Sequence, residues 1–596
     1  MERRTWTTKQ ASGLFAIPLI VSIVVALAAT YMGLWVDPVY FWGLGLLLPL
    51  GMADFVMYRR MKAQQMLDRL REDWGREQDR KRVFPMIESL HQLRERSGPE
   101  DDTCIDDQTW NDLTMNEVYA KIDRTLTNPG ECVLHEMLRT PLLSRDELQR
   151  RSQVIRLFQT DPTVRETVRF ELQRLGRWET NVITSLIWGE MPSPTPKRHL
   201  YSFLALVALV AALGAPLLWG SQGIAIIIVV YLINMLATYG ARAQIALAIA
   251  AMRYQGAMIL TARRIANLDC PALDHYRQGL EAAGFATREI ARKTFLLLPE
   301  AYVSSDLSLL VYAHIDTYFL RNVRLFHAVL KAMNRHRDEL QSIYSLLGEL
   351  DALQSVASYR AGLPAYAEPT FVEQGTQLQI KDARHPLLHN PVPNSIMIHE
   401  GGVAVTGSNM AGKTTFLRTL GVNALLAQTV GTCLASSYTA SLFRIFSLIN
   451  DADNLLEGKS YYLVQAEHLL KMVRSSGKAG RTLCLIDEPL AGTNSSERSA
   501  AAFEILQYLV RHNALVVLAT HDLELAQRLA STLKNYYFPG RVTGKGLEFD
   551  FRLKMGITPT RNAIDLLRYL GFPQTIVERA AQQVGIPTPA DQAGNP

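Results

Sequence analysis

The sequence predicts a mixed fold: four transmembrane helices arranged as two hairpins, an all-α domain that the second hairpin interrupts, and a C-terminal α/β domain. Three observations predict it. Four apolar runs carry almost no charge, the segments between them have helical periodicity, and beyond residue 402 strand-like and helix-like runs alternate. The expected divisions are a transmembrane hairpin over 1–60, helical parts over 61–198 and 242–362 flanking a second hairpin at 199–241, the α/β domain over 363–556, and a helical segment with a tail over 557–596.

Composition bounds these readings. The 596 residues hold 62 Lys and Arg against 57 Asp and Glu, a formal charge of +5, and five cysteines without a CxxC pair. Disorder, collagen-like repeats and a disulfide scaffold are excluded, and the odd cysteine count fits free thiols in a reducing compartment. The charge is too mild to argue by itself for nucleic acid. A mean hydropathy of +0.02 fits a polar protein with apolar spans spliced in.

The first run, Gly13 to Val36, is uncharged and long enough for a hydrocarbon core of roughly 30 Å. A turn at Val36-Asp37-Pro38 leads into the second, Val39 to Met57, interrupted only by Asp54. Leu200 to Ala241 carries no acid, lysine or arginine, is about two spans long, and breaks around Trp219-Gly220-Ser221-Gln222-Gly223. The small residues at Ala26-Leu27-Ala28 resemble a signal cleavage site, but the apolar stretch is too long and runs on into a second span, so a retained anchor is expected. Arg3, Arg4, Lys9, Arg59, Arg60 and Lys62 flank the first pair; Lys197, Arg198, Arg242 and Arg253 flank the second. The turns inside each hairpin carry no basic residue, so both hairpins are expected to enter from the cytoplasm and return to it. That predicts a multi-pass protein of the inner cell membrane with both termini and the α/β domain cytoplasmic.

Between the spans the chain reads as helices, with breaks at Ser97-Gly98-Pro99 and Asn128-Pro129-Gly130 and one long helix from Asp316 to Tyr359. Pro364 to Gly402 switches to short strands. Then come Val403 to Thr406, a helix from Lys413, a strand at Thr482 to Ile486, a helix from Ser496, and a strand at Leu515 to Thr520. Strands alternating with helices predict a mainly parallel sheet.

Chemistry concentrates at the ends of those strands. Gly407-Ser408-Asn409-Met410-Ala411-Gly412-Lys413-Thr414 fits the G-x-x-x-x-G-K-[ST] pattern between a predicted strand and a predicted helix. Glycines let backbone N–H groups turn toward phosphates at a helix N-terminus, Lys413 supplies charge to the β and γ phosphates, and Thr414 is placed to ligate Mg²⁺. Leu483-Cys484-Leu485-Ile486-Asp487-Glu488 is a buried strand ending in two acids. Asp487 suits a Mg²⁺ carboxylate and Glu488 the base that polarises attacking water. The third strand ends at His521, placed to sense a γ-phosphate.

These residues resemble the ATPase domain of the MutS mismatch-repair family. The resemblance rests on Thr406 to Thr415, on Asp487-Glu488 followed by Gly492-Thr493, and on Ala519-Thr520-His521-Asp522-Leu523-Glu524-Leu525. Ala383-Arg384-His385-Pro386 is similar to the family's R-H-P element, and Asp451 to Glu467, with Gly458-Lys459-Ser460, to its segment that reaches the partner subunit's nucleotide. Upstream, Glu349-Leu350-Asp351-Ala352-Leu353 resembles the family's helical lever and Leu113 to Arg165 the start of the lever domain. The resemblance implies a C-terminal P-loop ATPase domain of the ABC/MutS type, ATP and Mg²⁺, and a homodimer with composite sites. In one subunit Gly407, Ser408, Asn409, Met410, Ala411, Gly412, Lys413, Thr414 and Thr415 would hold nucleotide, Asp487 the metal, and Glu488 and His521 would act, while Ser460 completes the other subunit's site. Phe551 stands where the family contacts adenine, whereas Val392 is aliphatic near another adenine-stacking position. The C-terminal helix pair fits the family's dimerising appendage.

The departures point away from mismatch reading. Only about a hundred residues precede the lever-like region, and two predicted spans occupy much of that stretch. Phe371-Val372-Glu373 has the letters of the family's Phe-x-Glu wedge but lies on the approach to the α/β domain. Arg59-Arg60, Arg253, Arg263-Arg264 and Arg335-His336-Arg337 read as membrane-flanking or solvated cations. The favoured function is a membrane-anchored ATPase whose nucleotide cycle moves helical levers, with DNA as a candidate partner. The alternative is an ABC-type transporter-like or partner-regulating membrane ATPase that binds no nucleic acid. Val473 to Arg481 lacks an LSGGQ-like signature, which weighs against transport, and intact Lys413, Asp487 and Glu488 weigh against a scaffold that binds ATP without turnover.

Overall fold

A computed structural model of the chain describes residues 8–97, 103–178, 182–189, 198–297, 306–449, 461–478, 480–491, 494–543, 546–558 and 562–583. The architecture is mostly helical, with mixed sheets confined to the C-terminal part. Arg3, Arg4, Lys197, Ser460, the Gly492-Thr493 pair and the final tail lie outside the described residues.

Among the described residues, three stretches are long and apolar enough to cross a membrane by length and composition: Pro38–Glu72, Arg198–Ala237 and Ile245–Ala266. They follow a first helix, Thr8–Trp35, whose stretch Val21–Trp35 is apolar. Two features of these helices differ from the runs read in the sequence. The run after Pro38 starts as a 3-10 helix to Leu46 and becomes α-helical only from Leu47 to Glu72. The helix that begins at Gly223 does not end near residue 241 but continues unbroken to Ala266, because Arg242 is followed by helix formers with no Gly or Pro until Gly256. Ile245–Ala266 passes the composition test yet is mostly buried inside the protein, whereas the outer stretches expose their apolar side chains.

The long helix expected from Asp316 to Tyr359 is divided into Asp306–Phe319, Arg321–Arg335 and Arg337–Gly362. Leu320 takes a left-handed conformation, φ +48°, at the first break, and His336 marks the second. Asp306–Phe319 packs against the Arg198–Trp219 and Gly223–Ala266 helices, and Tyr318 donates from its hydroxyl to Ala208 O. Arg337–Gly362 is the axis of the helical body and packs along Asn128–Arg139. A fully buried carboxylate joins the two: Asp351 accepts from the N–H groups of Leu126 and Thr127, the Thr127 hydroxyl and the Gln354 amide. Gly130 is required at this junction, since a Cβ there would stand 2.1 Å from Asp351 Oδ2.

The strands are β1 Thr370–Phe371, β2 Gln377–Ala383, β3 Asn394–His399, β4 Gly402–Thr406, β5 Ser437–Ala440, β6 Phe443–Leu448, β7 Arg481–Asp487, β8 Ala514–Thr520, β9 Leu533–Tyr537, β10 Gly540–Thr543, β11 Gly546–Phe549 and β12 Lys554–Met555. The main sheet has the order β12-β9-β4-β8-β7-β6, parallel except for edge strand β12; a second sheet runs β1-β5-β2-β3, and β10 and β11 form a hairpin. Alternation along the central strands sorts their side chains to two faces. Val403, Val405, Leu483, Leu485, Leu515 and Val517 join the core shared with helix Lys413–Val430 and the helical body. Ala404, Cys484, Ile486, Val516 and Leu518 meet helices Tyr461–Ser476 and Ser495–Arg511 on the other face. Pairing aligns Thr406 with Thr520 and Asp487 with Ala519, so β4, β8 and β7 end level. Four of the five cysteines are buried and all five are free thiols.

Candidate functional site

Ligands of open α/β sheets bind outside the carboxyl ends of the strands. Here those ends gather the residues singled out from the sequence. β4 stops at Thr406 and the chain turns through Gly407, whose φ of +143° and close approach to Phe538 O leave no room for a Cβ. Asn409–Ala411 form one 3-10 turn, Met410 is exposed, and Gly412 at φ +100° starts helix Lys413–Val430. The first turn of that helix presents N–H groups with no helical acceptor, the usual cradle for an anion. Lys413 is 1% exposed and its Nζ donates to Gly407 O at 2.7 Å, back across the loop. Burial lowers the Lys413 ammonium's pKa, while Asp487 and Glu488 oppose that shift. Ser408 Oγ is buried and has no hydrogen-bond partner among the described residues. Thr415 follows Thr414 in the first helical turn and its carbonyl accepts from the Thr419 hydroxyl.

Thr414 Oγ1 donates to Asp487 Oδ2 at 2.6 Å, which places a hydroxyl and a carboxylate where one cation could take both. Burial holds the Asp487 carboxyl above its ordinary range, opposed by Thr414 and Lys413. Glu488 adopts φ +46° and donates its N–H to Ala519 O, so its side chain leaves the sheet toward β8. There His521 Nδ1 lies 2.7 Å from Glu488 Oε1. This contact raises the imidazole's pKa and lowers the carboxyl's.

Phe551, also left-handed at φ +51°, sits against the end of the loop: a Cβ on Gly412 would lie 3.4 Å from its ring. Asn394 ties this region together, donating to Phe551 O and accepting from Leu553 N. Val392 lies beside it through Asn394 and is partly exposed. Lys413, Thr414, Asp487, Glu488, His521 and Phe551 therefore share one end of the sheet. Nothing is described for Ser460 or for the side chain of Asn409.

Sequence reasoning missed Asn394 and Arg498. The latter lines a small recess with Glu488, Ser499, Thr520, His521 and Asp522. An arginine on a polar-looking helix carries no local signal; only the approach of Ser495–Arg511 to β8 brings it there. The cationic clusters are largely engaged internally. Arg253 donates to Leu297 O, Arg337 to Ile187 O and Gly189 O, and Arg264 pairs with Glu171. Phe371 ends β1, next to β5 at the rim of the second sheet.

Comparison with known proteins gives two family-model matches, MutS domain III over residues 105–357 and MutS domain V over residues 403–585. The chain is similar to the DNA mismatch repair protein MutS of Thermotoga maritima, 30% identical over 266 residues that cover 43% of this chain and 33% of that protein. The corresponding protein of Thermus thermophilus is 31% identical over 264 residues, 44% of this chain and 32% of its own length. That of Methanothrix thermoacetophila is 29% identical over 257 residues, 41% and 29% respectively. The matched stretch spans about a third of the length of these curated relatives. With domain III on its helical body and domain V on its main sheet and C-terminal helices, the chain belongs to the MutS family.

Proposed function

We propose that this chain is a membrane-anchored ATPase in which binding and hydrolysis of ATP move the helical body. The observation that carries the reading is the convergence of Lys413, Thr414, Asp487, Glu488 and His521 at the level ends of β4, β7 and β8. The residues fit the group the family uses: the loop has a buried lysine that bonds back to its own backbone and a serine hydroxyl without a partner among the described residues, and a threonine already faces an acid. Mg²⁺, held by Thr414 and Asp487, would supply charge neutralisation on the β and γ phosphates. Lys413 would exchange Gly407 O for phosphate oxygens. The helix N-terminus orients the triphosphate, Glu488 accepts a proton from the attacking water, and His521, hydrogen-bonded to Glu488, holds that carboxylate in place until nucleotide arrives. Phe551 at the loop's edge offers a face for the base, and Ser460 of a second copy would complete the site.

The apolar, exposed stretches before residue 60 and around 198–237 support anchoring, with the basic residues beside them keeping both hairpins cytoplasmic at their bases. DNA is the partner favoured by family membership. A membrane ATPase that regulates a protein partner is the second reading, favoured by the internal engagement of Arg253, Arg264 and Arg337. In detergent, the wild type should hydrolyse ATP and Glu488→Gln should lose about 100-fold or more in kcat while retaining nucleotide; equal rates would overturn the site. Competition binding of matched, mismatched and branched DNA and of RNA across a salt series separates the two partner readings.

A further inference from the structure

The helix that opens at the glycine-rich loop is gripped by the helical body at both ends. At its far end Arg360, 1% exposed, donates to Val430 O, Gly431 O and Thr432 Oγ1, and Arg151 donates to Thr429 O. At its near end an arginine makes the grip. Arg418 Nε donates at 2.8 Å to Asp112 O, the last carbonyl of helix Asp107–Asp112, where no helical donor is available. Position 418 is four residues from Thr414, so both lie on one face of the helix, one turn apart.

Asp112 is itself almost fully buried, and its carboxylate makes a second set of bonds. Ser447 Oγ donates to Oδ2 at 2.7 Å and Ile449 N at 2.8 Å, while Gln108 holds Oδ1. Thr109 Oγ1 accepts from Ser447 N. One residue of the helical body thus touches the helix behind the loop through its carbonyl and the end of β6 through its carboxylate. Ile449 directly precedes the stretch that carries Ser460. Gly421 closes the contact, because a Cβ there would meet Leu113 of the body and Leu485 of β7, each at 2.5 Å.

Building on the nucleotide-site reading, we propose that Asp112 and Arg418 form a positioning node that holds the glycine-rich loop and the end of β6 in register with the helical body. A shift of the body by about 1 Å breaks these short bonds at a point one helical turn from Thr414. The far grip at Arg360 lies about 18 Å away along the same helix and serves as the pivot. Neither residue touches nucleotide; the node acts through Thr414 and through the end of β6.

The experiment uses the full chain in detergent, with wild type, Asp112→Ala, Asp112→Asn, Arg418→Ala and Arg418→Lys. Nucleotide affinity is read with a fluorescent ATP analogue, kcat and KM by phosphate release, and body movement by spin labels at exposed Glu117 and Glu504 in a Cys104→Ser background. Asp112→Ala and Arg418→Ala should lower kcat about tenfold with nucleotide affinity within about twofold, and should abolish the nucleotide-dependent change in label separation. Asp112→Asn, which keeps a carbonyl acceptor for Ile449, and Arg418→Lys, which keeps a donor for Asp112 O, should recover part of both. Thermal unfolding identifies a variant that fails to fold; if an alanine variant does, the two conservative variants must still show the kcat loss without an affinity loss. Unchanged kcat and label separation in a folded alanine variant overturns the node alone. A wild type that binds no nucleotide overturns the site reading and the node with it.

Discussion

At the scale of single residues, the site is built from groups that satisfy one another. Lys413 bonds to its own loop, Thr414 to Asp487, and Glu488 to His521, so charge is placed without any buried group of these pairs left bare. His385 is treated differently. It is 6% exposed, Nε2 has no partner among the described residues, and burial, aided by Arg418, pulls the imidazole down to about 4 from 6.5. Its folded-state value is depressed, so its contribution to stability is complete above pH 6.5 and is lost as pH falls toward 4. Thermal unfolding of the wild type should therefore weaken over that window by up to about 1.4 kcal/mol per pH unit from this group. His385→Gln should flatten the dependence. A wild-type and variant pair with parallel curves would mean that His385 titrates normally.

Among elements, the decisive ones are Arg337–Gly362 and Lys413–Val430. Asp351, in the middle of the first, receives four donors from the Leu126–Thr127 turn and Gln354, and burial pushes its carboxyl up to about 6. Asp351→Ala leaves the Leu126 and Thr127 N–H groups buried without acceptors and should destabilise the protein by about 3 kcal/mol. Denaturant unfolding measures it, and a loss below about 1 kcal/mol would show that water replaces the carboxylate. The strand–loop–helix unit at Thr406–Lys413 was legible in the sequence because every requirement is local: an apolar strand, glycines at positive φ, and a helix start. The split of Asp316–Tyr359 was not, because Leu320 adopts a left-handed conformation that no Gly or Asn announces. The Asp112–Arg418 bond joins residues 306 apart, and no periodicity or motif reports on such a pair. Arg498 was hidden for the same reason, since its role depends on which strand its helix lies beside.

For the whole molecule, exposure of large apolar side chains concentrates in the first hairpin and in the outer parts of Arg198–Trp219 and Gly223–Ala266. A soluble monomer rarely carries apolar patches this large. The full chain should sediment with membranes, resist extraction by high salt and by alkaline carbonate, and dissolve in detergent. Release by salt alone would replace an embedded anchor with electrostatic attachment. Hydropathy marked apolar runs but could not tell where exposed helix becomes buried helix, since Ile245–Ala266 is also apolar and is buried by its neighbours. Burial by other helices is a property of the assembled core, and a window over one segment does not contain it.

The continuity of Gly223–Ala266 has a consequence of its own. Its 44 residues form a rod of about 66 Å, with an outer half that is bare and apolar and an inner half wedged among Pro162–Leu175, Asp274–Ala286 and Arg288–Phe295. The helix runs unbroken through Gly240 and Arg242 at the point of exit, so the rod is not a slack leash. With its outer half embedded as proposed, any rocking of the core is a change of tilt in the bilayer. The thickness and stiffness of the lipid then enter the energetics of the proposed nucleotide-driven movement as a mechanical load.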